Sequence, residues 1–182
     1  VLAKDWVVVG AKEEDLQEKC YKKIGKDFPV FLHPSSKEEY ALARKERKSG
    51  LGHKAFEFES DNSVTLEEDL LRRDLTINAI AQDEKGDLID PYNGIKDLEN
   101  KTPRKVSGAF AEDPLRVLRV ARFASKLKLL NFKIEEETLE IMKSIVVSGE
   151  IRKLSKERKW METYKARIRK NTEIIFKVLQ SE

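Results

Sequence analysis

One cysteine and two histidines are all the thiol and imidazole metal ligands in 182 residues. Cys20 has no partner for an internal disulfide, which fits a reducing compartment, and with His33 and His53 it shows no zinc spacing. No apolar run approaches the roughly 18 residues of a spanning helix and no secretory pattern is present, so a cytoplasmic protein with no membrane partner is expected. A Gly-x-x-x-x-Gly-Lys-Ser/Thr phosphate loop and a nucleophile elbow are both absent. Net charge is scarce too. The 36 Lys and Arg against 33 Asp and Glu leave +3, so any nucleic-acid surface must be a local patch. The 40% hydrophobic content can supply a core, and the length suits one large domain or two small ones.

The most informative stretch runs from Ala111 to Phe123. Asp113 is placed to cap a helix beginning at Pro114, where the missing N–H costs nothing. Leu115, Leu118 and Ala121 then offer an apolar stripe. Arg116, Arg119 and Arg122 recur every three residues and fan over about 120° of one side. Guanidiniums that close repel one another unless they face water or an anion. The fan is therefore either a solvated basic face or a phosphate-facing surface.

Before it, short strands alternate with helices. Val7-Val8-Val9, ended by Gly10, reads as a buried strand with Asp5 at its start. Leu16 and Cys20 suggest an amphipathic helix from Glu13 to Lys23, and Pro29 to His33 and Glu39 to Ala43 two more strands. The charged, glycine-punctuated run from Arg44 to Gly52 reads as a mobile loop. Phe56 and Phe58 mark an edge strand, and Asp61-Asn62-Ser63 a turn. Thr65 with Glu68 is a capping box for a helix buried through Leu66, Leu70 and Leu71. Arg72-Arg73-Asp74 ends that helix, and Asp74 either orients a guanidinium or caps a helix holding Ile77, Ala79, Ile80 and Ala81. Glu84 to Asp87 turns a hairpin, and Pro91 to Gly94 another turn. Lys101 to Lys105 is the best boundary by composition, giving domains of residues 1–105 and 106–182. Beyond it come helices from Pro114 to about Leu127, from Glu135 to Val147, and one capped by Ser155 that buries Trp160, Tyr164 and Ile168, with a further segment from Ile174 to Leu179.

Asp5 to Gly10, Gly25 to Pro34, Glu39 to Gly52, Val64 to Pro91 with Arg72-Arg73-Asp74, and the Glu112 to Arg122 run together closely resemble bacterial tRNA nucleotidyltransferases. These are the CCA-adding enzymes of the poly(A) polymerase-like class. The resemblance implies an α/β nucleotidyltransferase head, a mixed sheet with helices and its N-terminal part missing, followed by an all-α neck. It implies CMP and AMP addition to a tRNA 3′ end from CTP and ATP with Mg2+. It also implies a preceding glycine turn that holds the triphosphate, and further body and tail domains that grip the tRNA.

The resemblance assigns roles residue by residue. Asp5 matches the second of two strand carboxylates that hold Mg2+, and Ala3 stands where the first belongs. A methyl group cannot bridge cations, so impaired catalysis is expected. By its residues alone, a lone aspartate such as Asp5 more often serves a turn or strand end than a metal. Arg73 matches a phosphate contact, although an Arg–Asp pair fastening helix to sheet explains the tripeptide as well. Asp113 and Arg116 match the pair that reads the incoming base, and Arg119 and Arg122 residues on the sugar-phosphate side. Arg44, Arg47 and Lys48 match a flexible loop near the nucleotide. His53 and Ala55 depart from the family's Gly-Tyr-Thr-Gly-Phe. Three readings stand: a catalytic fragment, a non-catalytic nucleotide- or RNA-binding remnant, and a helical interaction protein whose arginines serve solubility.

Overall fold

The structure is a computed structural model and describes residues 4–24, 30–48, 56–59 and 62–168. Two compact units divide the chain, Val1–Leu70 and Leu71–Glu182. The compositional break at Lys101 to Lys105 falls inside the second unit. There it is tied down by the Leu75–Lys105 bridge, by the Thr76 amide donating to the Arg104 carbonyl, and by the Arg104–Asp97 ion pair.

The first unit is built on a four-stranded sheet. Strands β1 (Asp5–Val8), β2 (Lys22–Ile24), β3 (Val30–Leu32) and β4 (Glu39–Leu42) lie in the order β1-β4-β3-β2. The β1–β4 pair is parallel and the other two are antiparallel. Leu16 of α1 (Glu13–Glu18) closes with Phe31 and Leu42 into a small core. This helix is shorter than expected. The chain leaves it through Cys20 in the left-handed region, and Lys22–Ile24 pairs with β3 instead. Lysine's helix propensity is a preference of tenths of a kcal/mol, and a ladder of strand hydrogen bonds overrides it. Strand β1 is not buried as expected; its residues are partly or fully exposed.

Lys45–Lys48 is also a strand, β5, paired antiparallel with β6 (Phe56–Glu59). The mobile loop expected from Arg44 onward is corrected accordingly. Alternate charged side chains do not prevent a backbone from filling a two-stranded ladder. Residues 49–55, with His53 and Ala55, lie outside the described residues, as do Gly25 to Pro29, Asp61 and Ile174 to Leu179. The capping box is present. Thr65 Oγ1 accepts from the Glu68 amide at 3.2 Å, and Glu68 Oε2 accepts from the Thr65 amide at 3.0 Å. In α2 (Leu66–Leu71) Leu70 is buried, but the other buried residue is Asp69, which accepts from the Arg44 amide, while Leu71 is exposed.

The second unit opens with one 3₁₀ turn, Thr76–Asn78, where a longer helix was expected. Ala81 already belongs to β7 (Ala81–Gln82), which pairs with β8 (Leu88–Ile89) around the expected turn. Asp90 accepts the amides of Gly94 and Ile95 to start α3 (Gly94–Glu99). A Cβ on Gly94 would meet the Thr76 carbonyl oxygen at 2.2 Å, so only glycine fits there. From Ser107 to residue 168 the described chain is helical: α4 (Leu115–Leu127), α5 (Glu136–Val147) and α6 (Lys156–Ile168) joined by 3₁₀ turns. Their core gathers Leu75, Phe110, Val117, Leu118, Val120, Met142, Ile145, Ile151 and Leu154.

The core expectation for α6 is corrected. Glu162 and Ala166 are its buried residues, while Trp160 and Tyr164 face outward. The side chain of Ile168 lies outside the described residues. Arg158-Glu162-Ala166 and Trp160-Tyr164-Ile168 have the same spacing, so periodicity cannot choose between them. The anions and cations waiting on α4 select the first.

Candidate functional site

The start of α4 is held by Asp113. Its Oδ1 accepts from the Leu115 amide at 3.0 Å and its main-chain carbonyl from the Arg116 amide, as the capping expectation required. Its Oδ2 accepts from Arg158 Nη2 at 2.9 Å. One carboxylate thus caps a helix and anchors α6 at once. Each oxygen of an ionised carboxylate can accept about two hydrogen bonds, so this arrangement retains acceptor capacity for a ligand.

In the fold each arginine of the fan has an acceptor within the chain. Arg116 is buried, and its guanidinium donates to the carbonyls of Ala109 and Arg72, each at 2.7 Å. Arg119 Nε donates to Asp74 Oδ2 and Arg122 Nε to Glu162 Oε2, both at 2.8 Å. Arg122 also lies 4.5 Å from the centre of the Phe123 ring. Charged guanidiniums cannot be buried without partners, and the chain supplies a protein acceptor for each. Arg119 uses its Nε for this pairing while its side chain stays 40% exposed.

Asp74 fulfils the first of its two expected roles by orienting the Arg119 guanidinium. Its Oδ1 also accepts from the Leu75 amide and from Asn78 Nδ2, both at 2.9 Å. Arg158 and Glu162 went unnoticed in the sequence. Their four-residue spacing was the available signal, but the neighbouring aromatic spacing was read as the buried face.

Burial alone would push the Asp74 carboxyl up. The Arg119 charge and the hydrogen bonds from Asn78, Arg119 and Leu75 outweigh it and hold the group below the ordinary carboxylate range. Glu162 follows the same balance, with burial opposed by Arg122 and Lys165, and is also lowered. A carboxylate depressed in the fold stabilises fully above its unfolded pKa of about 4, and this contribution is lost as pH falls through the folded value. The thermal midpoint is expected to hold from pH 7 to about 5 and fall below about 4. Asp74→Asn and Glu162→Gln should each flatten that acid limb in circular dichroism melts. An unchanged limb in both would show that these carboxylates do not drive it.

Arg73 is half-buried in the turn after α2, beside Asp74. Arg44 is half-buried just before β5, and Arg47 and Lys48 are within that strand. Asp5 is exposed at the start of β1, in register with exposed Glu39. Ala3 lies outside the described residues. No group of three or more His, Cys, Asp or Glu suited to a metal occurs among the described residues. A site bridging two cations needs several carboxylate oxygens, and Asp5 beside an alanine at position 3 does not fit one. No helix among the described residues is long and apolar enough to cross a membrane.

The profile of the poly A polymerase head domain matches residues 8–104. A multifunctional CCA protein of Mannheimia succiniciproducens is 58% identical over 176 residues, 97% of this chain and 42% of its own length. A CCA-adding enzyme of Alteromonas mediterranea is 56% identical over 179 residues, 98% of this chain and 45% of its own. The chain thus spans less than half the length of these curated relatives. Among solved structures, a CCA-adding enzyme in complex with ATP is similar at a TM-score of 0.70 and 25% identity, covering 97% of this chain and 41% of that one. The Bacillus stearothermophilus CCA-adding enzyme in complex with CTP gives 0.60 and 30%, covering 80% and 34%. With an α/β head leading into helices and the Asp113–Arg122 run at the entry to α4, the chain belongs to the poly A polymerase head-domain family, in the head-and-neck region of the bacterial CCA-adding enzymes.

Proposed function

We propose that this chain is the nucleotide-selecting part of a tRNA nucleotidyltransferase. The whole reaction is attack of a terminal ribose 3′-hydroxyl on the α-phosphate of CTP or ATP, with release of pyrophosphate. The carrying observation is the identity of 55–58% across 97–98% of the chain with relatives named multifunctional CCA protein or CCA-adding enzyme. Asp113 and Arg116 read the base edge. A carboxylate accepts from the exocyclic amino group shared by cytosine and adenine, and a guanidinium donates to their ring or carbonyl acceptors. UTP and GTP mismatch that pair. Arg73, Arg119 and Arg122 take the phosphate and sugar side; the partial exposure of the Arg119 side chain supports this role most directly. Arg44, Arg47 and Lys48 match the family loop that helps to arrange the incoming nucleotide. The family is magnesium-dependent, and Asp5 is the one carboxylate this chain offers at the matching position. The substrates, a tRNA 3′ end with CTP and ATP, place the reaction in the cytoplasm.

The test is incorporation of CMP and AMP into a tRNA lacking its 3′ end, with magnesium. The chain as given should turn over far below the ordinary range of about 1–1,000 per second. It should still favour CTP and ATP in binding. Turnover near 1 per second would refute the impairment. A version extended to the relatives' length and carrying Ala3→Asp that adds no nucleotide would refute the function.

A second reading, a non-catalytic nucleotide- or RNA-binding remnant, is favoured by Ala3. It differs from the first in one outcome: the extended, repaired version would bind CTP and ATP without adding them.

A further inference from the structure

The outward face of α6 carries side chains that the fold does not use. Arg158, Glu162 and Ala166 turn toward the interior, with Arg158 on Asp113 and Glu162 on Arg122. Trp160 and Tyr164 are consequently 60% and 48% exposed, and Met161 is 51% exposed beside them. The two rings are near-parallel, with centroids 6.2 Å apart and planes 26° from each other. They form one aromatic surface, not two scattered exposures. Helical spacing sets Lys156 one turn before Trp160 on the same side together with exposed Glu157, while Lys159 turns its Nζ to the Arg152 carbonyl. Exposed Arg152 and Lys153 lie in the turn that leads into the helix.

Lysine is depleted at the centre of protein–protein contacts. Aromatic planes bordered by lysines are instead the surface on which unpaired bases stack while phosphates follow the positive charge. The two ion pairs on the inward side hold this face in a fixed orientation relative to α4. Rings held in this way lose little conformational freedom when a base stacks on them.

We propose that Trp160 and Tyr164 are a stacking platform for successive unpaired bases of single-stranded RNA, with Lys156 at its phosphates. The proposal rests on the reading that the partner is RNA, but it is tested apart from nucleotide selection.

The experiment uses the 182-residue chain with Trp6→Phe, which leaves Trp160 as the sole tryptophan. It is titrated with a ten-nucleotide single-stranded RNA, with a blunt RNA duplex and with CTP. The single strand should quench Trp160 and the duplex should not. Trp160→Ala and Tyr164→Ala, checked for folding by circular dichroism, should each weaken binding of the labelled single strand by roughly fivefold to a hundredfold. Lys156→Gln should reduce the salt slope by about 0.7. Equal affinity in both aromatic variants, or equal quenching by the duplex, overturns the proposal. Self-association that Trp160→Ala abolishes, without quenching by RNA, assigns the face to a second copy and overturns it as well. CTP and ATP selectivity without RNA quenching removes the platform and leaves the functional reading intact. RNA quenching without that selectivity supports the platform and counts against the functional reading.

Discussion

Ala3→Asp is expected to raise nucleotide addition by about a hundredfold to a thousandfold in a version of the chain extended to the length of its relatives. The estimate takes the usual cost of losing one charge-stabilising group at a transition state, about 2.7–4 kcal/mol. The defect should lie in kcat. A carboxylate at position 3 would help hold the cation that neutralises the reacting phosphate, so its loss acts on the barrier and a higher nucleotide concentration cannot replace it. Nucleotide KM should therefore change only a few-fold between the two extended versions. Equal kcat with alanine and with aspartate at position 3 would mean that Asp5 and other groups already suffice.

Glu162→Ala is expected to destabilise the fold by about 3–5 kcal/mol, as removal of one partner from a buried ion pair does. Both side chains of the Arg122–Glu162 pair are largely enclosed, at 12% and 4% exposed. Alanine would leave the Arg122 guanidinium desolvated without its anion. The double variant Arg122→Met with Glu162→Leu fills similar volume without charge and should recover most of the loss. Urea unfolding followed by circular dichroism measures both. A single-variant cost below about 1 kcal/mol, the worth of a surface pair, would show that this contact is not a fastening of α6 to α4.

The fold could be read from the sequence wherever local chemistry had one solution. Thr65 and Glu68 cap a helix because their side chains satisfy each other's backbone. Asp113 before Pro114 starts α4 for the same kind of reason. The misreadings came where composition or spacing had two solutions and a distant partner decided. Lys22–Ile24 and Lys45–Lys48 are rich in lysine yet become strands because β3 and β6 pair with them. The α6 helix offered two stripes at one spacing, and the charges on α4 chose between them. The candidate site shows the same division. Motif order marked Asp113, Arg116, Arg119 and Arg122. Their partners Asp74, Arg158 and Glu162 are 40–45 residues away in the chain, beyond the reach of any periodicity.

The central claim is that Asp113 and Arg116 select the base, and calorimetric titration of the chain with CTP, ATP, GTP and UTP tests it most directly. A good bidentate base contact discriminates by about 1–3 kcal/mol, so CTP and ATP should bind roughly fivefold to a hundredfold more tightly than UTP and GTP. Asp113→Asn keeps an acceptor for the Leu115 amide while placing a donor where the base offers its own, and should erase that preference; it also gives up the Arg158 ion pair, so circular dichroism checks that the helices remain folded. Equal affinities for all four nucleotides in the unmodified chain would contradict the assignment.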